Sequence, residues 1–158
     1  MVIVASIVAL DQATKAWVIA ELAPDGSMSL LGDLVRLVYT ENDGGLFGLF
    51  RDAAPVLAVL SLGVAAFIVR QQARAGASGY VTLTLSLLLG GAIGNLIDRL
   101  RLGFVVDFVD AGVGDLRWWT FNVADASISA AILLLLLWAL RPSLAGETAT
   151  PATLPGHG

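Results

Sequence analysis

The sequence predicts an all-α membrane protein built on four transmembrane helices, with a small β element outside them. Two observations carry this prediction. Hydrophobic residues make up 57% of the 158 residues and charged residues only 14%, and the mean hydropathy is +0.82. This composition lies outside the range of soluble domains. The apolar residues also fall into separate long runs, and the length suits about one domain.

Three of the runs have the length of a membrane span. They cover residues 53–69, 80–97 and 126–140, and the last extends back to Phe121. At about 1.5 Å of rise per residue, each run approaches the roughly 30 Å of a hydrocarbon layer. Each is therefore predicted to be a transmembrane helix.

A fourth span is predicted near residues 1–21, although Asp11 and Lys15 interrupt its apolar character. The two residues are four apart, so they share one helical face, where they can pair and point away from lipid. A cleaved signal peptide is the rival interpretation. Against that interpretation, the sequence has no basic region before the apolar stretch and no clear cleavage site of small residues.

The spans divide the rest of the chain into loops on two sides. Residues 22–52 and 99–120 form long loops on one side, whereas both termini and the connection 71–79 lie on the other. The first loop has β-branched residues around a turn signal, which predicts a strand or hairpin against the membrane surface. Residues 1–141 form the predicted membrane domain, and 142–158 a disordered tail.

The boundary before the last span carries Trp118 and Trp119. Paired tryptophans at such a position are typical of the interfacial aromatic belt, which we favour over substrate contact. Lysines and arginines lie on both sides of the predicted membrane, so their count leaves the orientation open.

The residue types that are missing narrow the possible chemistry. The chain has no cysteine, and its only histidine, His157, lies in the tail. A Ser-His-Asp triad, a Cys-His pair and an HExxH zinc site therefore cannot be built. We expect no metal or cofactor, and a hydrolase of this sequence has to use Asp, Glu, Lys, Ser or Tyr.

The third span ends in a glycine-rich polar stretch. Gly90 and Gly94 form a small-xxx-small pair that predicts close helix packing. Gly91, Asn95 and Asp98 share one face of this helix. A dinucleotide-binding fingerprint does not fit, since the glycines end an apolar run. We interpret Asp98 with its neighbour Arg99 as a local ion pair.

Two aspartates near the last span suggest acid–base chemistry. Asp125 suits the first turn of the last helix, where Thr120 or Asn122 can cap it. Asp107 has apolar neighbours on both sides, and burial there raises a carboxyl pKa. Two adjacent carboxyls can share one proton and hydrolyse an amide, one activating water and the other donating the proton.

Spacing alone leaves open which carboxyls form such a pair. The candidates in this part of the chain are Asp98, Asp107, Asp110, Asp115 and Asp125.

Five segments together resemble the lipoprotein signal peptidases, also called signal peptidase II. They are DQATK in the first span, NDGGLFG in the first loop, GGAIGNLIDRL at the end of the third span, VVDF in the second loop and FNVADA at the start of the last. Each is weak alone, but their order in a four-span chain is specific. One departure is Leu46, where the family usually has Ala.

The resemblance implies an aspartic endopeptidase that removes signal peptides from diacylglyceryl-modified bacterial prolipoproteins, cutting before the lipidated Cys. It assigns the catalytic dyad to Asp107 and Asp125, and it expects Asn42 and Arg99 to hold the substrate backbone or an inhibitor. Supporting roles are implied for Asp11, Lys15, Asn42, Gly44, Gly91, Asn95, Asp98, Arg99, Asn122, Ala124 and Ala126.

The resemblance also implies a location and partners. It predicts a multi-pass protein of the bacterial inner membrane with both termini cytoplasmic. The β element, a short helix or loop and the active site then lie at the extracytoplasmic face. The expected partners are prolipoproteins, membrane lipid and inhibitors of the globomycin type, with no nucleic acid. In the second long loop, Asp110 and Asp115 then remain as ordinary loop charges.

Two other functions fit some of the residues. A small proton-coupled transporter or channel subunit is suggested by the intramembrane residues Asp11, Lys15, Asn95 and Asp98. A Ser-Lys peptidase would use Lys15, the only lysine, but the adjacent Asp11 favours the ammonium form, which cannot act as a base.

Overall fold

A computed structural model of the chain describes residues 1–44, the single position 56, residues 59–60, 63–64 and 66–68, position 70, and residues 78–141. Its helices are α1 (Val2–Leu22), α2 (Gly79–Leu102) and α3 (Val123–Leu140), and its strands are β1 (Ser27–Ser29), β2 (Val35–Asn42), β3 (Val105–Val113) and β4 (Leu116–Arg117).

All three helices are long and apolar enough to cross a membrane. They confirm helices at the first, third and fourth predicted spans. The described positions between 56 and 70 are helical, and Ile68 packs with Val4 and Leu89 in a buried apolar cluster. The remainder of the second predicted span, Leu46 and the tail 142–158 lie outside the described residues.

The ends of α2 and α3 follow from local chemistry. The Ser78 hydroxyl accepts a hydrogen bond from the Val81 amide at the start of α2, and Gly103 ends that helix with a φ of 84°. A left-handed residue after a helix is a position that glycine occupies without steric cost. At the start of α3, Asn122 and Asp125 form a reciprocal capping box.

The four strands form one antiparallel sheet in the order β1-β2-β3-β4. The hairpin predicted in the first loop is confirmed by β1 and β2. The second loop, for which no strand was predicted, supplies β3 and β4. The sheet therefore joins both long loops, and β3 runs directly from the end of α2 toward the start of α3.

Strand β3 packs against the end of α1. Val106 and Phe108 are buried with Val18 and Leu22 of α1 in one apolar cluster. Because side chains alternate along a strand, Asp107 projects from the opposite face of β3. This alternation buries the apolar residues against α1 and leaves the carboxyl for the polar interior.

Glycines bring α1, α2 and α3 into close contact. A Cβ on Gly90 would lie 2.9 Å from the Ile7 Cβ, and one on Gly91 would lie 2.6 Å from the Ser127 Oγ. One on Gly94 would lie 2.6 Å from the Asp11 Oδ2. The packing role predicted for these glycines is confirmed, since any side chain here would separate the helices.

Candidate active site

Asp107 is buried, and only 2% of its surface is exposed. Its Oδ1 accepts a hydrogen bond from the Asn122 Nδ2 at 2.7 Å, and its Oδ2 accepts one from the Asn42 Nδ2 at 2.8 Å. Burial raises the pKa of the Asp107 carboxyl to about 7. The negative charge of Asp125 acts in the same direction, while the two amides and Lys15 oppose it. The increase expected from its apolar flanks is confirmed.

Asp125 occupies the first turn of α3, as its sequence position indicated. Its Oδ1 accepts a hydrogen bond from the Asn95 Nδ2 at 2.8 Å, and its Oδ2 accepts one from the Asn122 backbone N–H at 3.3 Å. The capping interpretation is confirmed, with Asn122 as the cap. Capping and placement in a polar site are therefore both properties of this one carboxyl.

Asn122 connects the two aspartates. Its Oδ1 accepts from the Asp125 backbone N–H at 2.8 Å, and its Nδ2 donates to Asp107. A backbone N–H can only donate, so the Asn122 carbonyl has to face Asp125 and its NH₂ group has to face Asp107. The same reasoning orients Asn42, whose Oδ1 accepts from the Gly44 N–H at 3.1 Å.

A buried charged group, Asp11, Lys15 and Asp98, lies beside these amides. The Lys15 Nζ is 2.9 Å from the Asp11 Oδ2 and 2.8 Å from the Asp98 Oδ2. The predicted pair of Asp11 and Lys15 is confirmed. The local ion pair of Asp98 with Arg99 is wrong: successive helical residues point in different directions, and Asp98 faces Lys15.

Lys15 also orients Asn95. Its ammonium donates to the Asn95 Oδ1 at 3.0 Å. Since an ammonium cannot accept a hydrogen bond, the NH₂ group of Asn95 has to face Asp125. The Asn95 Oδ1 also accepts from the Asn122 Nδ2 at 3.2 Å. The amides of Asn42, Asn95 and Asn122 thus present N–H donors to both carboxyls.

Arg99 lies at the edge of this group. Its guanidinium donates to the Gly44 carbonyl at 3.2 Å and to the Asn95 carbonyl at 3.3 Å. Its Nε is buried and has no hydrogen-bond partner in the described part of the chain. An unsatisfied buried N–H donor is costly, so this atom needs an acceptor that the described residues do not supply.

The remaining predicted residues fall on two sides of the site. Gly91 packs against α3 next to Ala124, which is fully buried and donates its backbone N–H to the Asp11 Oδ1 at 2.9 Å. The Ala126 side chain is exposed, and its N–H bonds the Asn122 carbonyl within the first helical turn. The structure does not bring the Ala126 side chain into the buried site.

Sequence reasoning missed Gln12. Its Nε2 donates to the Asp98 Oδ1 at 2.9 Å, the Asp11 Oδ2 at 3.2 Å and the Gly94 carbonyl at 3.2 Å. The available signal was its place in the DQATK segment, where a long amide follows the intramembrane Asp11 directly.

A second charged group lies on the sheet away from Asp107. We name Asp33, Arg36, Asp110 and Arg117 the distal ion cluster. Asp110 accepts from the Arg36 Nη2 at 2.6 Å and the Arg117 Nε at 2.9 Å. The two arginines hold the pKa of Asp110 below its usual value. The prediction of Asp110 as an ordinary loop charge is wrong, because the sheet buries it between two cations; Asp115 is exposed.

Membrane-length helices, a small sheet at one end and carboxyls surrounded by amide donors define a membrane enzyme with acid–base groups. The chain has no cysteine, and its one histidine, His157, lies outside the described residues. Residues 3–141 match the family described as Signal peptidase (SPase) II. The chain belongs to this family of aspartic-type peptidases, which removes signal peptides from prolipoproteins.

Curated relatives agree. The lipoprotein signal peptidase of Halothermothrix orenii is 37% identical over 139 residues, covering 87% of this chain and 93% of the relative. That of Syntrophomonas wolfei is 40% identical over 135 residues, covering 85% and 87%. A bacterial membrane enzyme solved by the in meso method at 2.3 Å resolution is similar, with a TM-score of 0.79, 25% identity and coverage of 94% and 90%. The predicted resemblance is confirmed, and the transporter and Ser-Lys peptidase alternatives are wrong.

Proposed function

We propose that Asp107 and Asp125 are the catalytic dyad of this signal peptidase. The observation that carries the proposal is the donor pattern around them. Each of their four carboxyl oxygens accepts an N–H, from the Asn42, Asn95 and Asn122 side chains and the Asn122 backbone. The two carboxyls share this donor-lined site, and the negative charge of Asp125 contributes to the raised pKa of Asp107.

The donor pattern determines where the shared proton can point. An amide N–H cannot accept a proton, so a hydroxyl on either carboxyl has no acceptor among these partners. The proton therefore has to be directed to the other carboxyl, to a water or to a substrate oxygen. The amides and Lys15 stabilise the single negative charge that remains, so the pair holds one proton and one charge near neutral pH.

Peptide hydrolysis follows from this state. The ionised aspartate accepts a proton from water, whose oxygen attacks the scissile carbonyl. The protonated aspartate donates to the developing oxyanion, and a proton then passes to the leaving nitrogen. Burial and the charge of Asp125 raise the pKa of Asp107 to about 7, so Asp107 is a candidate for the protonated partner. We further propose that Arg99 and Asn42 hold the substrate backbone.

The membrane context supports a lipidated substrate. A signal peptide is an apolar helix, and a diacylglyceryl chain partitions into lipid, so both can approach the dyad laterally between spanning helices. We propose four spans, with residues 53–69 as the second and both termini cytoplasmic. The sheet and dyad then lie at the extracytoplasmic face of the inner membrane. Cleavage occurs before the lipidated Cys, and globomycin-type inhibitors occupy the same site.

The test uses purified protein and a diacylglyceryl-modified prolipoprotein, with and without globomycin. Asp107→Asn and Asp125→Asn are each expected to lower the cleavage rate about 10³-fold or more, since acid–base groups contribute on this scale. Asp115→Asn, an exposed aspartate changed in the same way, is the matched control and should cleave normally. Turnover like that of the unmodified protein by either dyad variant would refute the assignment.

A further inference from the structure

We propose that Asp11, Lys15 and Asp98, here named the buried clamp, position the two catalytic aspartates relative to each other by binding the backbone immediately before each one. Lys15 lies at the centre of the clamp and is called its hub. The carboxylates of Asp11 and Asp98, which both pair with Lys15, are called its arms. This inference rests on the proposed dyad and assigns the clamp a positioning role.

One arm reaches Asp125. The Asp11 Oδ2 is paired with Lys15, and its Oδ1 accepts the backbone N–H of Ala124 at 2.9 Å. Ala124 precedes Asp125 directly. Its N–H is one of the first four in α3, which have no partner within the helix. A carboxylate at this point fixes the start of the helix and, through it, the Cα of Asp125.

The other arm reaches Asp107 in the same way. The Asp98 Oδ2 lies 2.8 Å from the Lys15 Nζ and accepts the backbone N–H of Val106 at 3.1 Å. Val106 precedes Asp107 directly. Each catalytic aspartate thus follows a residue whose N–H is held by a carboxylate, and both carboxylates are held by one ammonium.

The clamp is buried and fully hydrogen-bonded. The exposed fractions of Asp11, Lys15 and Asp98 are 0%, 2% and 2%, so none of the three can meet substrate. Gln12 donates to both arms and ties them together a second time. Two buried carboxylates facing one ammonium are costly unless their other lone pairs are satisfied, and here the Ala124 and Val106 N–H groups satisfy them.

The separation of the dyad carboxyls controls how they share a proton. Strongly coupled carboxyls lose their two protons at well-separated pH values, and the two steps converge as the carboxyls move apart. Among the described residues, the charged groups around the dyad are Asp11 and Lys15 from α1 and Asp98 and Arg99 from α2, and β2 contributes the neutral Asn42. A looser clamp therefore changes the width of the pH–rate profile as well as its height.

The experiment measures pH–rate profiles of the full chain in lipid nanodiscs with a lipidated prolipoprotein. Asp11→Asn and Asp98→Asn each weaken one arm and keep the size of the side chain. We expect kcat to fall about 10- to 100-fold with little change in KM, because displacements near 1 Å cost this much. The acidic and basic limbs should approach each other by about one pH unit.

Asp110→Asn is the matched control, since it removes an ion-paired aspartate from β3 outside the clamp. It should leave both limbs in place. Lys15→Arg keeps the charge but changes the length and shape of the hub, so it should narrow the profile without loss of folding. If folded arm variants and Lys15→Arg all keep the limb separation, the clamp is refuted. That result leaves the dyad intact, whereas an active Asp107→Asn refutes the dyad itself.

Discussion

The buried clamp and the distal ion cluster both pair aspartates with basic side chains, but they differ in burial and in the ratio of acidic to basic groups. The clamp has two aspartates for one lysine and is almost completely buried. The distal cluster has two aspartates for two arginines, and the Arg36 and Asp33 side chains are 39% and 55% exposed. In the clamp, both carboxylates also accept a backbone N–H next to a dyad aspartate, whereas the arginines of the distal cluster bridge Asp110 of β3 to β2 and β4. The two regions should therefore respond differently to the same changes.

Removing one cation from each region should give the largest difference in unfolding free energy. Lys15→Met leaves Asp11 and Asp98 buried without a countercharge, so we expect a loss of about 3–5 kcal/mol in unfolding free energy. Arg36→Met leaves Asp110 paired with Arg117 and should cost at most about 1 kcal/mol. Thermal unfolding in detergent measures both. Equal losses would show that the two regions do not differ energetically.

The pH dependence should separate Asp107 from Asp110. Cleavage needs a dyad that holds one proton, so the cleavage rate should fall about tenfold per pH unit above pH 7. The pKa of Asp107 is higher in the folded protein than in the unfolded chain, so its contribution to stability decreases as pH rises through that range. Asp110 has a lowered pKa, and its contribution is lost only when pH falls through its folded value. A rate that stays level to pH 9 would contradict the role of Asp107.

Added methyl groups test the packing of each region. The Cβ of Gly94→Ala would lie 2.6 Å from the Asp11 Oδ2, and that of Gly112→Ala would lie 2.7 Å from the Arg117 Cα. Each should destabilise the protein by about 1–3 kcal/mol. Only Gly94→Ala should also lower kcat, because it displaces an arm of the clamp. Matched thermal scans and cleavage assays decide this, and an equal fall in kcat would remove the distinction.

Salt should have the smallest effect. Raising the salt concentration to about 1 M shortens the screening length to about 3 Å, which weakens exposed charge pairs more than buried ones. The free-energy cost of Arg36→Gln should therefore shrink by up to about 1 kcal/mol, while that of Asp98→Asn stays constant. A cost of Asp98→Asn that declines with salt would indicate that water reaches the clamp.

The contacts that the sequence predicted correctly are short-range ones. The spacing of four residues between Asp11 and Lys15 indicates their pair, and the position of Asn122 before an apolar helix indicates a cap. The contact of Lys15 with Asp98 joins residues far apart in the chain, so sequence spacing favours the neighbouring Arg99 as the partner of Asp98. The burial of Asp110 is not predictable from its local sequence, because it depends on β2 and β4, which lie on either side of β3.

Strand β3 shows a second reason for failure. The segment VVDFVDAGV has the β-branched residues of a strand. However, the apolar residues Val105, Val106 and Phe108 surround Asp107, and the sequence alone does not explain why a carboxyl lies among them. The packing of Val106 and Phe108 on α1 explains both the apolar residues and the position of Asp107, which projects from the opposite face of the strand. The choice of Asp107 and Asp125 among five aspartates depended on family resemblance, and their catalytic role stays a prediction.

The bond from the Ala124 N–H to the Asp11 carboxylate spans 113 residues of chain. A ribosome releases Asp11 and Lys15 early, and their pair can form within α1 alone. Asp98, Val106 and Ala124 follow much later. The enzyme is therefore expected to be inactive throughout its own synthesis and to gain activity only when α3 has entered the membrane. A nascent chain would then be unable to cut neighbouring signal peptides during its own insertion.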